Sequence, residues 1–153
     1  MDLSKLETKV PPVAVCIVAL ALQWQIKDLT PKLGFTSHWF FVVLFLLIAS
    51  LIGLTAIWHF VVRRTTVNPV KPETANELVT NGLFKYSRNP MYLAMALLLV
   101  AATFYLANLL TLIPIGLYLL YMNRFQIYSE ERALKTIFGQ DYDNYCKTTR
   151  RWI

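Results

Sequence analysis

Residues 38–62 run for twenty-five positions without a formal charge, and the apolar side chains fill the whole stretch instead of recurring at amphipathic spacing. About 20 apolar residues cross the hydrocarbon core of a bilayer. The run therefore predicts a membrane-spanning helix, with Trp39 and Trp58 near its ends as interfacial aromatics. Three further apolar blocks occupy residues 10–26, 91–107 and 109–128. The first opens on Pro11 and Pro12, which suit a helix's first turn better than its middle. The last two are separated by Asn108 alone and predict a tight helical hairpin. The expected fold is all-α, a polytopic membrane helical bundle of about four transmembrane helices. A loop at residues 63–90 and a C-terminal helical tail at residues 129–153 accompany it. A chain of 153 residues with several spans has no room for a separate soluble domain, so residues 1–153 are read as one integral membrane domain.

Charge fixes the expected orientation. Lys5 and Lys9 precede the first block, and Arg63, Arg64, Lys71, Lys85 and Arg88 lie between the second and third. Arg124, Arg132, Lys135, Lys147, Arg150 and Arg151 sit at or beyond the end of the fourth, leaving Lys27 and Lys32 for the opposite side. By the positive-inside rule both termini are cytoplasmic, as in a multi-pass protein of a prokaryotic inner membrane. Asp2 and Glu7 interrupt the basic region that a signal peptide needs. The net charge of +6 is accounted for by topology and by contact with anionic lipid, and needs no nucleic-acid partner. Arg63, Arg64, Arg150, Arg151 and Trp152 can dock anionic lipid, although topology explains them equally well. No small-xxx-small stripe dominates a span, and a monomer is expected. Cys16 and Cys146 form no disulfide framework, His38 and His59 fall at opposite ends of one span, and no metal-ligand spacing, Walker loop or dinucleotide fingerprint occurs.

Polar chemistry concentrates in two places. In the run LVTNGLFKYSRNPMY, residues 78–92, Asn81 and Gly82 supply a stop compatible with a left-handed backbone. Asn89 and Pro90 then read as N-cap and first residue of the third apolar helix, whose free N–H groups suit an anion or carboxylate. Beyond the fourth block, Glu130 and Glu131 open a tail in which Ile127, Leu134, Ile137 and Phe138 recur at helical spacing. Gly139 reads as its stop, and Tyr142 and Tyr145 share a face of a last short helix that can roof a pocket. The plain alternative is an amphipathic interfacial helix in which Glu131 pairs with Lys135 at i,i+4.

The run NELVTNGLFKYSRNPMY is followed by Asn108, by IYSEE at residues 127–131, and by Leu134, Phe138, Gly139, Tyr142 and Tyr145. Together they resemble the isoprenylcysteine carboxyl methyltransferase family and, more broadly, the membrane methyltransferases that include phospholipid N-methyltransferases. The resemblance covers about the C-terminal half. It implies a methyl donor, S-adenosylmethionine, released as S-adenosylhomocysteine and held in a cytoplasm-facing pocket. No metal is implied. The matching positions for the donor are Asn76, Glu77, Leu78, Val79, Phe84, Arg88, Asn89, Pro90, Met91 and Tyr92. Glu130 matches the acidic residue near the transferred methyl and is the expected catalytic residue. Gln126, Arg124 and Glu131 are the expected contacts to a lipophilic or membrane-resident acceptor arriving from the bilayer.

Where isoprenylcysteine enzymes carry an Arg four residues before that Glu, this chain has Gln126, which cannot supply a charge to a substrate carboxylate. Arg124 is two residues away, and two residues turn an undistorted helix through roughly 200°. Asn89 replaces the family's usual His, and Phe84 its usual Tyr. The alternatives to carboxyl methylation are a phospholipid or small-amine N-methyltransferase, or a non-catalytic accessory protein that keeps the fold. Sterol reductases share part of the pattern, but their Arg-His-x-x-Tyr motif is here RNPMY.

Overall fold

The computed structural model describes residues 10–32, 34, 38–63 and 78–153. Asn76, Glu77, Arg64, Lys71 and the rest of the expected loop at residues 64–77 lie outside the described residues. Among the described residues five α-helices carry the fold: α1 (Pro12–Ile26), α2 (His38–Arg63), α3 (Pro90–Leu106), α4 (Leu112–Tyr121) and α5 (Tyr128–Thr148). Among the described residues there is no strand.

Helix α3 is the axis of the bundle, with α2 along one side and α1 and α4 on the other. Small side chains let its neighbours approach: Ala94, Ala96 and Ala101 are buried along it, and Gly53 of α2 faces the Ala94 Cβ. At one end Phe41 and Phe45 of α2 stack on Phe104, with ring centroids 4.9 and 5.5 Å apart. On the other side Cys16 and Ala19 of α1 and Ile115, Tyr118 and Met122 close a core around Tyr92, Ala96 and Leu99.

Only α2 among the described helices is long and apolar enough to cross a membrane by itself, over His38–His59 with a mean hydropathy of 2.8. Only 17% of its most apolar window is buried inside the protein, so most of its apolar surface needs another covering, which lipid can provide. The other expected spans are apolar but shorter. Helix α1 has 15 residues and α3 has 17, which at about 1.5 Å per residue falls short of a hydrocarbon core of about 30 Å. The fourth block is a composite of the 3-10 turn Leu109–Thr111, α4, and a π-helical segment at Met122–Ile127.

The helix starts follow the prolines: Pro12 and Pro90 each occupy the first turn. The hairpin after α3 forms where expected, with Ala107 in the left-handed region at φ 49. The Asn108 side chain then accepts from Leu110 N at 2.9 Å. One turn expectation differs. Gly82 has φ +62 but opens the 3-10 turn Gly82–Lys85 instead of ending a helix. Its missing Cβ leaves room for the His59 imidazole, which would collide with any side chain there. Gly139, at φ 50 and ψ −120, is non-helical and divides Tyr128–Thr148 into two helices across a kink, a break where one is expected. The helical path resumes to Thr148, and Lys135 reaches across the kink to Asp143 at 2.9 Å.

Candidate active site

Polar residues converge where α3 begins and α5 begins. Tyr92, in the first turn of α3, donates its hydroxyl to Glu130 Oε1 at 2.5 Å. Gln126, one helical turn before Glu130 and almost wholly buried, donates Nε2 to the same oxygen at 2.5 Å. Neither bond uses Oε2. Tyr118 of α4 ties the base of this arrangement by donating to the Tyr92 carbonyl at 3.2 Å. Burial pushes the Glu130 carboxyl up from an ordinary 4.5 to about 7. The hydrogen bonds from Tyr92 and Gln126 oppose that rise, and the charge of Glu131 adds to it. A carboxyl poised near neutrality can take or give a proton at physiological pH.

The π-helical segment Met122–Ile127 makes this possible. It adds backbone to the turn just ahead of α5, so that Gln126 and Ile127 face the core while Arg124 is exposed. Arg124 places its guanidinium 5.3 Å from the Phe125 ring centre. With Leu120, Asn123 and Tyr128 it lines a surface hollow of about 480 Å³.

Glu131 belongs to a second cluster. Arg88 Nη2 donates to its Oε1 at 2.7 Å, and Arg151 donates Nε to Oε1 at 3.0 Å and Nη2 to Oε2 at 2.6 Å. The local pairing with Lys135 expected for an interfacial helix does not describe it, because two guanidiniums, one of them a bidentate fork, outcompete a flexible ammonium. Burial alone would raise Glu131, but the hydrogen bonds and charges of Arg151 and Arg88 outweigh it and hold its carboxyl below the ordinary value. Arg88 also donates Nη1 to the Thr149 carbonyl at 2.6 Å, while its buried Nε has no partner.

The remaining expected residues divide between two surfaces. Val79 and Phe84 are buried with Tyr142 and Tyr145 of α5, with Leu78 packed alongside. Tyr145 fixes the cluster by donating to the Phe84 carbonyl at 2.6 Å. Pro90 is buried and Met91 packs on the core around Tyr92. Asn89 stands at the N-cap position of α3 but makes no side-chain cap. It donates Nδ2 to the Arg151 carbonyl at 2.9 Å, while the Ser87 hydroxyl accepts from Asn89 N at 3.2 Å.

The contribution of residues 149–152 had no signal in sequence. Arg150 is exposed, as an interfacial arginine should be, but Arg151 turns inward to Glu131, and Trp152 donates Nε1 to Asn123 Oδ1 at 3.1 Å. A run of two arginines and a tryptophan reads as a lipid anchor until its partners are known.

A family model described as phospholipid methyltransferase matches residues 37–141, a span that contains α2, α3, α4 and the Glu130 site. An uncharacterized protein of Haemophilus influenzae is 40% identical over 63 residues, which is 41% of this chain and all of that protein. No solved structure matches the chain.

Proposed function

Because this chain belongs to the phospholipid methyltransferase family, we propose that it transfers a methyl group from S-adenosylmethionine to an amine on a lipophilic acceptor at the cytoplasmic face of a membrane. The observation that carries this reading is Glu130: a carboxyl near neutrality, oriented by Tyr92 and Gln126, with Oε2 outside both bonds.

S-Adenosylmethionine, when bound, supplies a methyl group already activated by its sulfonium. The donor set here fits such a molecule: a carboxylate at Glu130, an Arg88 whose buried Nε lacks a partner, and an aromatic cluster of Phe84, Tyr142 and Tyr145. Arg88, Asn89 and the opening turn of α3 would hold its polar end, with Leu78, Val79 and Phe84 covering its apolar parts. Glu130 Oε2 receives the proton that an ammonium acceptor must lose before its nitrogen has a lone pair to offer. Tyr92 and Gln126 hold Oε1 so that Oε2 keeps a fixed direction, and alignment accounts for most of the acceleration. Gln126 also favours an amine over a carboxylate acceptor, since a buried neutral amide offers no countercharge to a carboxylate.

In this reading α1, α3 and the α4 composite cross the bilayer with α2, helped by interfacial aromatics where they are short. Both termini then lie on the cytoplasmic side, and the acceptor arrives laterally. Calorimetry of the purified protein in detergent tests the donor assignment. S-Adenosylhomocysteine should bind, and Asn89→Ala or Tyr92→Ala should weaken it. Absence of binding by folded protein at millimolar ligand defeats the reading.

A further inference from the structure

We infer that Arg151 is a positioning residue for Glu130: by gripping Glu131 it fixes the rotation of α5 and so aims the neighbouring carboxylate at Tyr92. The inference rests on the reading of Glu130 as the reacting carboxylate.

The need for such a grip comes from the backbone. Within an uninterrupted α-helix the hydrogen-bond ladder fixes every residue's direction relative to the residues before it. The π-helical segment Met122–Ile127 breaks that register immediately before α5. The wider ladder, in which Tyr128 N donates to the Asn123 carbonyl, shifts the direction of Glu130 from the one α4 would impose, and contacts of α5 hold it there. Glu131 is adjacent in sequence, and successive helical residues point about 100° apart, so anchoring Glu131 determines where Glu130 points. Glu131 is held on both oxygens by Arg151, at 3.0 and 2.6 Å, and by Arg88 at 2.7 Å. A bidentate guanidinium fixes angle as well as distance.

Arg151 can impose that angle because its own backbone is held. Arg88 N donates to the Arg150 carbonyl at 3.0 Å, and Asn89 Nδ2 to the Arg151 carbonyl at 2.9 Å. Thr149 Oγ1 donates to the Lys85 carbonyl at 3.3 Å, and Trp152 reaches Asn123 within the π-helical segment at 3.1 Å. Residues 149–152 thus form a strap joining the loop before α3, the π-helical segment and the first turn of α5. Arg151 and Glu131 keep 37% and 19% of their side-chain surface accessible, which makes the pair far less solvent-screened than two fully exposed ions.

The test compares wild type, Arg151→Gln, Arg151→Lys, Glu131→Gln and the double variant Arg151→Gln/Glu131→Gln, as full chains in detergent. Each is assayed for S-adenosylhomocysteine affinity, methyl transfer from S-adenosylmethionine to membrane extract, and thermal midpoint. Arg151→Gln should lower kcat roughly 10- to 100-fold, the scale of a misaligned reacting group, with affinity held within about threefold. Arg151→Lys, which keeps the charge and loses the fork, should recover only part of that loss. The double variant should lose no more than Glu131→Gln alone, because that change already removes the contact to Arg151 along with the one to Arg88. Unchanged kcat in Arg151→Gln, full rescue by Lys, or additive losses overturns the inference. So does a loss of ligand affinity that matches the loss of kcat. If Arg151→Gln fails to fold, Glu131→Gln and Trp152→Phe carry the same kcat-against-affinity comparison, and unchanged kcat in both overturns it. A wild-type protein that binds no donor and transfers no methyl defeats the underlying reading instead.

Discussion

Two buried polar clusters sit at opposite ends of α3, and their chemistry differs. At the end away from Glu130, Gln23 of α1 donates to the Leu99 and Thr111 carbonyls at 3.1 and 2.9 Å and to Thr103 Oγ1 at 3.1 Å. Asn108 donates to the carbonyls of Lys27 and Thr30 at 2.7 and 3.0 Å. Every partner there is neutral, and most are backbone carbonyls. That cluster ties α1, α3 and the hairpin together. At the other end the partners are side chains from separate elements, and two carboxylates a single residue apart are driven in opposite directions, Glu130 up and Glu131 down. Burial of a polar group therefore does not mark a reacting site by itself; divergent titration of neighbouring groups is the more specific sign.

The largest expected effect separates the two ends by activity. Glu130→Gln should depress methyl transfer roughly 10²- to 10⁴-fold, the range for loss of a positioned acid or base, while S-adenosylhomocysteine affinity changes little. An equal loss in both quantities removes the case for proton transfer at Glu130. At the opposite end, Gln23→Leu should cost about 1–3 kcal/mol of stability by removing buried hydrogen bonds that join α1 to α3 and the hairpin. Turnover per folded molecule should stay at the wild-type value. Denaturation in detergent alongside specific activity reads both, and a collapse of turnover without loss of stability would erase the contrast.

Titration sharpens the difference between the two glutamates. Glu130 binds more protons folded than unfolded between its ordinary 4.5 and its raised value of about 7. Its contribution to stability therefore falls as pH rises through that window. Glu131 is depressed, so its contribution is present above its ordinary pKa and lost as pH drops through the folded value. Thermal midpoints against pH should show a descending component between about 4.5 and 7 that disappears in Glu130→Gln. They should also show an acid-side loss that shrinks in Glu131→Gln, and a pH dependence identical to wild type in either variant contradicts the assignment. The smallest effect belongs to Tyr92→Phe. Removing a bond that favours the ionised carboxylate should move the acid limb of kcat toward higher pH with only a modest loss of maximal rate. An acid limb that stays in place would show that Tyr92 does not act on Glu130.

The parts of this architecture that spacing controls were legible in the chain. Pro12 and Pro90 start helices, Asn108 turns the hairpin, and Tyr142 and Tyr145 share a buried face. Motif likeness drew attention to Tyr92 and Glu130, and the structure joins them across 38 residues. The π-helical segment was not legible, because MNRFQI contains neither Pro nor Gly and no local pattern announces a wider turn. Nor were the partners of Glu131, which lie 43 and 20 residues away. Local spacing offered Lys135, and tertiary packing supplied two arginines. Gly139 was legible as the break between two helices, because its missing Cβ lets the backbone take the positive φ found there.

The most direct test of the central claim is transfer of radiolabelled methyl from S-adenosylmethionine by the purified protein reconstituted with membrane lipid extract. The account predicts label in the organic phase that survives mild alkaline treatment at the methyl group, as an N-methyl does and a methyl ester does not. It also predicts near loss of that label in Glu130→Gln. Alkali-labile methyl contradicts the amine assignment, and label that is absent from wild type or equal in both proteins contradicts the catalytic reading of Glu130.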